Sequence, residues 1–174
     1  HPPAWPALNR PMLPLFPRHH ARQVVYTDTQ RNLSRAQFLG LAYALSEKLP
    51  EQAHCLNVCD DRLFFMLGFC AALLRGQCTL LPASRTESSL TDIVRLHPGI
   101  TALCDGPQAF AGINYLHLEA LPLDASPHEH DEGIPPSTLA AELFTSGSTG
   151  APQSHRKTWG MLTQGAQQLA AELR

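Results

Sequence analysis

Thr145, Ser146, Gly147, Ser148, Thr149 and Gly150 form an unbroken run of small residues between an apolar and a polar segment. Four of the six carry hydroxyls and two carry no side chain, so the run offers donors and close backbone approach but nothing to pack. Glycine admits positive φ, and successive backbone N–H groups in such a bend make an anion-binding concavity. That chemistry suits phosphate. The common phosphate loop, G-x-x-x-x-G-K-[ST], is excluded: Gly147 and Gly150 are too close together, and Ala151-Pro152-Gln153 follows where a Lys is required. The next cations are Arg156 and Lys157. His155 reads as a histidine on an exposed strand or turn rather than an acid–base group.

The elements around this run are legible from periodicity. Gln23 to Thr27 reads as a strand and Asp28 to Asn32 as a turn. Ser34 and Gln37 have capping-box spacing, and Phe38, Leu41, Ala42, Leu45 and Leu49 recur at helical period before Pro50. Residues 55–59 read as a strand, Asp60-Asp61 as turn and cap, and Leu63 to Leu74 as a buried helix closed by Gly76. Thr79 to Leu81 is the next strand. Ser84 with Glu87 suggests a second capping box, and Leu90, Ile93, Val94 and His97 share a helix face that Pro98-Gly99 ends. Thr101 to Asp105, Ile113 to Leu118 and Leu139 to Phe144 are further strands. Gln153 to Lys157 is short and polar, and Thr158 caps a last helix carrying Leu162, Ala166, Leu169 and Leu173.

Strands alternating with helices predict an α/β fold, a layered and mostly parallel sheet with flanking helices. In such sheets ligands sit beyond the carboxyl ends of the strands, where the Thr145–Gly150 run falls. Residues 1–20, rich in proline, read as an extended arm against which 21–174 is the folded body; Trp5, Leu8, Leu15 and Phe16 are its candidates for contact with that body. The sequence His128-Glu129-His130-Asp131-Glu132 reads as a solvated acidic loop, because no third ligand of defined spacing accompanies its two histidines.

Composition narrows the function classes. Hydrophobic residues make up 44% and charged residues 16%, as in a folded domain. Thirteen Lys+Arg against fifteen Asp+Glu give a net charge of −2, which implies no nucleic-acid surface. No apolar run has the length of a membrane span, so a soluble, cytoplasmic protein without stable membrane insertion is expected. The five cysteines lie in apolar runs, form no C-x-x-C and number an odd count, so they read as core packing.

Residues 145–150 with Pro152 resemble, position by position, the phosphate loop of the adenylate-forming acyl and aryl ligases: acyl-CoA synthetases, luciferase and peptide-synthetase adenylation domains. One position departs: the family's Lys falls on Gln153. The segment from Pro152 to Trp159 looks like the branch linked to aryl polyene and xanthomonadin-type pigments. The resemblance implies ATP and Mg²⁺ as cofactors, with Thr145, Ser146, Gly147, Ser148, Thr149, Gly150 and Lys157 at the phosphates. It implies a carboxylic acid substrate, aromatic or acyl, and CoA or an acyl carrier protein as thiol acceptor. Because the family is several hundred residues long, the chain reads as an incomplete N-terminal subdomain, expected to be inactive alone. Two other readings stand beside this one: a different phosphate-loop nucleotide enzyme, and a non-enzymatic truncated relative serving as a regulatory or carrier-binding module.

Overall fold

A computed structural model describes residues 11–16, 22–122, 125–146 and 153–173. Its first helix starts where the sequence supplies a cap. Ser34 Oγ accepts the Gln37 N–H and the Gln37 side chain accepts the Ser34 N–H, closing the predicted box ahead of α1 (Arg35–Ser46). Such a cap is worth about 1 kcal/mol. Phe38, Leu39, Ala42 and Leu45 of α1 are all buried. Ahead of it, β1 (Val24–Thr27) and β2 (Asn32–Ser34) pair antiparallel, so Asn32, expected in the turn, begins a strand instead. The Asp28 carboxylate makes the turn by accepting the N–H groups of Gln30 and Arg31 at 2.8 and 2.7 Å.

The central unit runs β3 (His54–Asn57), α2 (Arg62–Leu74), β4 (Cys78–Leu81), α3 (Glu87–Leu96), β5 (Thr101–Cys104) and β6 (Asn114–His117). Asp61 caps α2 by accepting from Leu63 and Phe64, and Gly76 follows its last turn at φ +71°, as a glycine cap requires. The cap of α3 is Thr86, which accepts the Ser89 N–H. Ser84 does not cap: its hydroxyl joins those of Thr86 and Ser89, because the helix begins two residues later than a Ser84–Glu87 box would need.

The chain then enters β7 (Leu139–Thr145), returns along β8 (Gln153–Thr158) and ends in α4 (Trp159–Glu172). The six-stranded sheet has the order β6-β5-β3-β4-β7-β8, parallel throughout except that β8 runs antiparallel to β7. The short polar stretch after the small-residue run is therefore a strand. Its backbone finds partners on β7 although its side chains have no apolar alternation.

Alternation along the parallel strands builds two cores. Cys55 and Leu103 face α1 and α2, with Leu63, Leu67 and Phe38. Leu56, Leu80 and Ala102 face the other side, with Leu90 and Ile93 of α3. A third cluster joins Leu15, Leu39, Leu73, Ile134 and Trp159, and backbone bonds in both directions tie Leu13 to Ile134.

The acidic loop is not wholly solvated. The Asp131 side chain, 2% exposed, faces Arg35 at 3.6 Å and accepts the Phe16 and Gly133 N–H groups, while His128 lies 4.2 Å from the Tyr43 ring. The loop packs along α1 because residue 40 is glycine: a Cβ there would collide with the Ser126 carbonyl oxygen.

Candidate functional site

All carboxyl ends of the parallel strands lie on one edge of the sheet, and the hydroxyl-rich run leaves that edge from β7. Thr145 is the last residue of the strand and Ser146 follows it, both exposed. Gly147, Ser148, Thr149 and Gly150 lie outside the described residues. Gln153 returns the chain directly opposite Thr145, whose hydroxyl donates to the Gln153 carbonyl at 3.4 Å. The run is thus the connection of a β-hairpin whose first strand sits inside the sheet and whose second forms its edge.

Antiparallel pairing sets the reach of the two nearby cations. Ser154 faces Phe144, His155 faces Leu143, Arg156 faces Glu142 and Lys157 faces Ala141. At about 3.4 Å per residue, Arg156 lies roughly 10 Å and Lys157 roughly 14 Å back from the Thr145–Gln153 pair at which the connection closes the hairpin. Both are exposed, and they leave the strand on opposite faces. His155 is exposed on the same strand. Arg156 is drawn towards Glu142, its Nε 3.7 Å from a carboxylate whose side chain is only 6% exposed.

Sequence reasoning passed over Glu142. Its signal was a carboxylate inside an otherwise apolar strand, where alternation directs it inward.

The neighbouring strand ends carry a charged network. Helices α2 and α3 pack on opposite faces, so the loops leaving β3 and β4 diverge at the kind of crevice where doubly wound sheets bind ligands. Here Arg85, after β4, reaches across it to the Asp60 carboxylate at 2.5 Å and the Cys59 carbonyl at 3.0 Å. Asp105, after β5, accepts the Asp60 and Asp61 N–H groups at 2.7 and 2.6 Å. Arg31 donates to both Asp61 and Asp28.

Burial pushes the Asp61 carboxyl up, but Arg31 and the Phe64 and Leu63 amides outweigh it and hold it below the usual range. The Gln30 amide leads the groups that hold Asp28 low. These charges neutralise one another and tie the loops after β3, β4 and β5 together. The hydroxyl run on β7 stands next to that frame.

Four of the cysteines are buried and Cys70 is half-buried, surroundings that disfavour the thiolate. Burial pushes Cys104 up to about 11 and Cys55 to about 11. Cys104 Sγ is 3.5 Å from His117 Nδ1, but Glu119 engages that same nitrogen at 3.1 Å, so no relay through the ring exists. Among the described residues no group of three or more His, Cys, Asp or Glu side chains is arranged to hold a metal, and no helix is long and apolar enough to cross a membrane.

No family model matches the chain, and no curated protein does. Solved structures do. The o-succinylbenzoate CoA synthetase of Bacillus subtilis, solved with its acyl-adenylate intermediate, superposes with a TM-score of 0.71 at 15% identity, over 87% of this chain and 43% of that one. McyG A-PCP, complexed with phenylalanyl-adenylate, gives 0.61 at 20% identity, over 83% and 26%. The N-terminal subdomain of Klebsiella oxytoca NpsA, in complex with 3-hydroxybenzoyl-AMSN, gives 0.57 at 17% identity, over 75% and 35%. The chain thus spans less than half the length of each. It has the fold of the N-terminal part of the adenylate-forming ligases.

Proposed function

We propose that this chain is the N-terminal part of an ATP-dependent ligase that activates a carboxylic acid as its acyl-adenylate and passes it to a thiol. One observation carries the reading: on a fold like theirs, a Thr-Ser-Gly-Ser-Thr-Gly run leaves the carboxyl end of β7 as a hairpin connection. Residues 21–174 are then an incomplete subdomain, preceded by a proline-rich arm at 1–20.

The chemistry suits the residues. Adenylation places acid and ATP in line and stabilises charge on the phosphates, with little covalent participation by protein. Thr145, Ser146, Ser148 and Thr149 supply hydroxyls to the β- and γ-phosphates, and Gly147 and Gly150 allow the main chain to approach them. Exposed Thr145 and Ser146 at the strand end fit that donor set. Mg²⁺ would arrive with the triphosphate, neutralising its oxygens. Lys157 contributes long-range positive charge from its place on β8. The acid is aromatic or acyl, as in a pigment pathway, and the acceptor is CoA or a carrier protein. The aromatic ligand of the Klebsiella subdomain favours the first class of acid.

Pyrophosphate exchange by the full-length protein against a panel of acids tests the proposal. Acid-dependent exchange, reduced at least about tenfold by Ser148→Ala and Gly150→Ala, supports it. Phosphate release without any acid favours a different nucleotide enzyme. The 174-residue chain alone is expected neither to adenylate nor to bind ATP tightly, and micromolar ATP binding in a titration would contradict that expectation. Gln153 at the family's Lys position favours a second reading, a carrier-binding or regulatory module. Carrier binding without exchange for any acid would establish it.

A further inference from the structure

Among the described residues, α4 is packed only at its start. Trp159 is 9% exposed and its indole N–H donates to the Leu13 carbonyl at 3.2 Å, but every residue from Gln164 to Glu172 is exposed. A helix of this length is marginal in water by propensity, and helices in proteins owe most of their stability to a packed apolar face. α4 does carry such a face. Trp159, Leu162, Ala166 and Ala170 recur at helical spacing along a groove of about 450 Å³, which Leu13 and Phe69 of α2 also line. None of its lining residues is charged.

Residues 1–10 lie outside the described residues, and they join the molecule at this groove. Leu13 lines it and is held by backbone bonds in both directions to Ile134, so the point of attachment is fixed. The segment reads His-Pro-Pro-Ala-Trp-Pro-Ala-Leu-Asn-Arg, with no Asp, Glu, Lys or Arg before Arg10. Trp5 is eight residues from Leu13. An extended proline-rich chain covers about 3.1 Å per residue, which gives Trp5 a reach of roughly 25 Å. From Trp159 to Ala170 the helix rises roughly 17 Å, at about 1.5 Å per residue. Trp5 can therefore reach any part of the groove. Pro2, Pro3 and Pro6 have no N–H to satisfy, which suits a segment lying against a helix face that offers no ladder. Proline-rich segments dock in grooves lined by aromatic rings, here Trp159 and Phe69. The tether also makes docking intramolecular, at an effective concentration on the order of millimolar.

We propose that the α4 groove is the docking site of the chain's own N-terminal segment, residues 1–10, with Trp5 as the anchor and Leu8 beside it. The arm then clasps the outer half of α4 to the body of the fold and supplies the partner its apolar face lacks.

NMR on the 174-residue chain, and amide hydrogen exchange on that chain and on the full-length protein, test this. The Trp5 indole gives cross-peaks to the methyl groups of Leu162 and Ala166. Mixing labelled with unlabelled chains shows them to arise within one chain. In Trp5→Ala/Leu8→Ala the amides from Gln164 to Ala170 exchange at least about tenfold faster, while those of β3 and β4 are unchanged. Ala166→Asp acts from the groove side. Residue 166 is exposed, so the fold and the Leu13–Ile134 contacts persist, but a charge in the groove expels the ring and the Trp5 cross-peaks vanish.

No Trp5 cross-peak to the groove, or unchanged α4 exchange in the double variant, overturns the proposal. Cross-peaks found only between chains give the groove to a second copy. Exchange of α4 insensitive to Trp5→Ala/Leu8→Ala in the full-length protein gives it to a later segment. Either result overturns the proposal as well.

Discussion

Arg35 and Asp131 face each other at 3.6 Å with side-chain exposures of 10% and 2%, joining the start of α1 to a loop near the entry to β7. The Asp131 carboxylate also accepts the Phe16 N–H, and Arg35 donates to the Glu129 carbonyl. This pair brings the arm, the first helix and the acidic loop to one point.

Removing one member of such a pair leaves an uncompensated buried charge, so Asp131→Ala should cost about 3–5 kcal/mol. Urea unfolding of wild type and variant measures it. The double variant Arg35→Met/Asp131→Leu should recover most of the loss, because a buried pair is worth little more than apolar residues of similar volume. A loss below 1 kcal/mol in Asp131→Ala, within the range of exposed pairs, would show the contact to be solvated.

Stability should fall with acid in two stages. His97 is half-buried beside the His54 ring, 4.5 Å away; burial and then His54 hold its imidazole below the ordinary value, against an opposing pull from Glu142. The unfolded chain therefore takes up that proton first. Its contribution is complete above about pH 6.5 and lost as pH falls through the folded value. Asp28, Asp61 and Glu119 are held low, so their contribution is complete above about pH 4 and lost below it. Urea midpoints between pH 8 and pH 3 should show both stages, and His97→Gln should flatten the upper one alone.

The thiols should be inert in the native state. Burial raises Cys70 and Cys78 to about 12, and raises Cys59 as well, with Asp105 adding to the effect there. A chromogenic aromatic disulfide at pH 8 should label all five cysteines in guanidinium but fewer than about one in ten without it. Rapid labelling of more than the half-buried Cys70 in the native chain would contradict the buried placement of the other four.

Gly40 and Gly76 should respond differently to alanine. At Gly76 the new Cβ meets nothing within 4 Å, so only the positive φ opposes it, and Gly76→Ala should cost about 1 kcal/mol. At Gly40 the Cβ would strike the Ser126 carbonyl, and Gly40→Ala should cost about 2–3 kcal/mol as the loop is displaced. Thermal unfolding ranks the two.

What could be read from the residues alone was whatever local chemistry controls. The Ser34 cap, the Gly76 stop, the apolar run of α2 and the parallel β3-β4-β5 unit all follow from periodicity and capping, which act within a few residues. So did the place of the Thr145–Gly150 run at a strand's carboxyl end. The Thr86 cap was missed because several hydroxyls compete there and the helix face chooses among them. Tertiary structure decided the rest. β8 is a strand because β7 offers an edge to pair with, not because its own sequence prefers one. Asp131 is buried because Arg35, distant in sequence, compensates its charge. The same holds for Glu142: alternation turns a carboxylate inward, but only the pairing of two strands reveals the arginine that makes it tolerable. Long-range electrostatic compensation leaves no periodic trace in the chain, so it becomes visible only once the chain has folded.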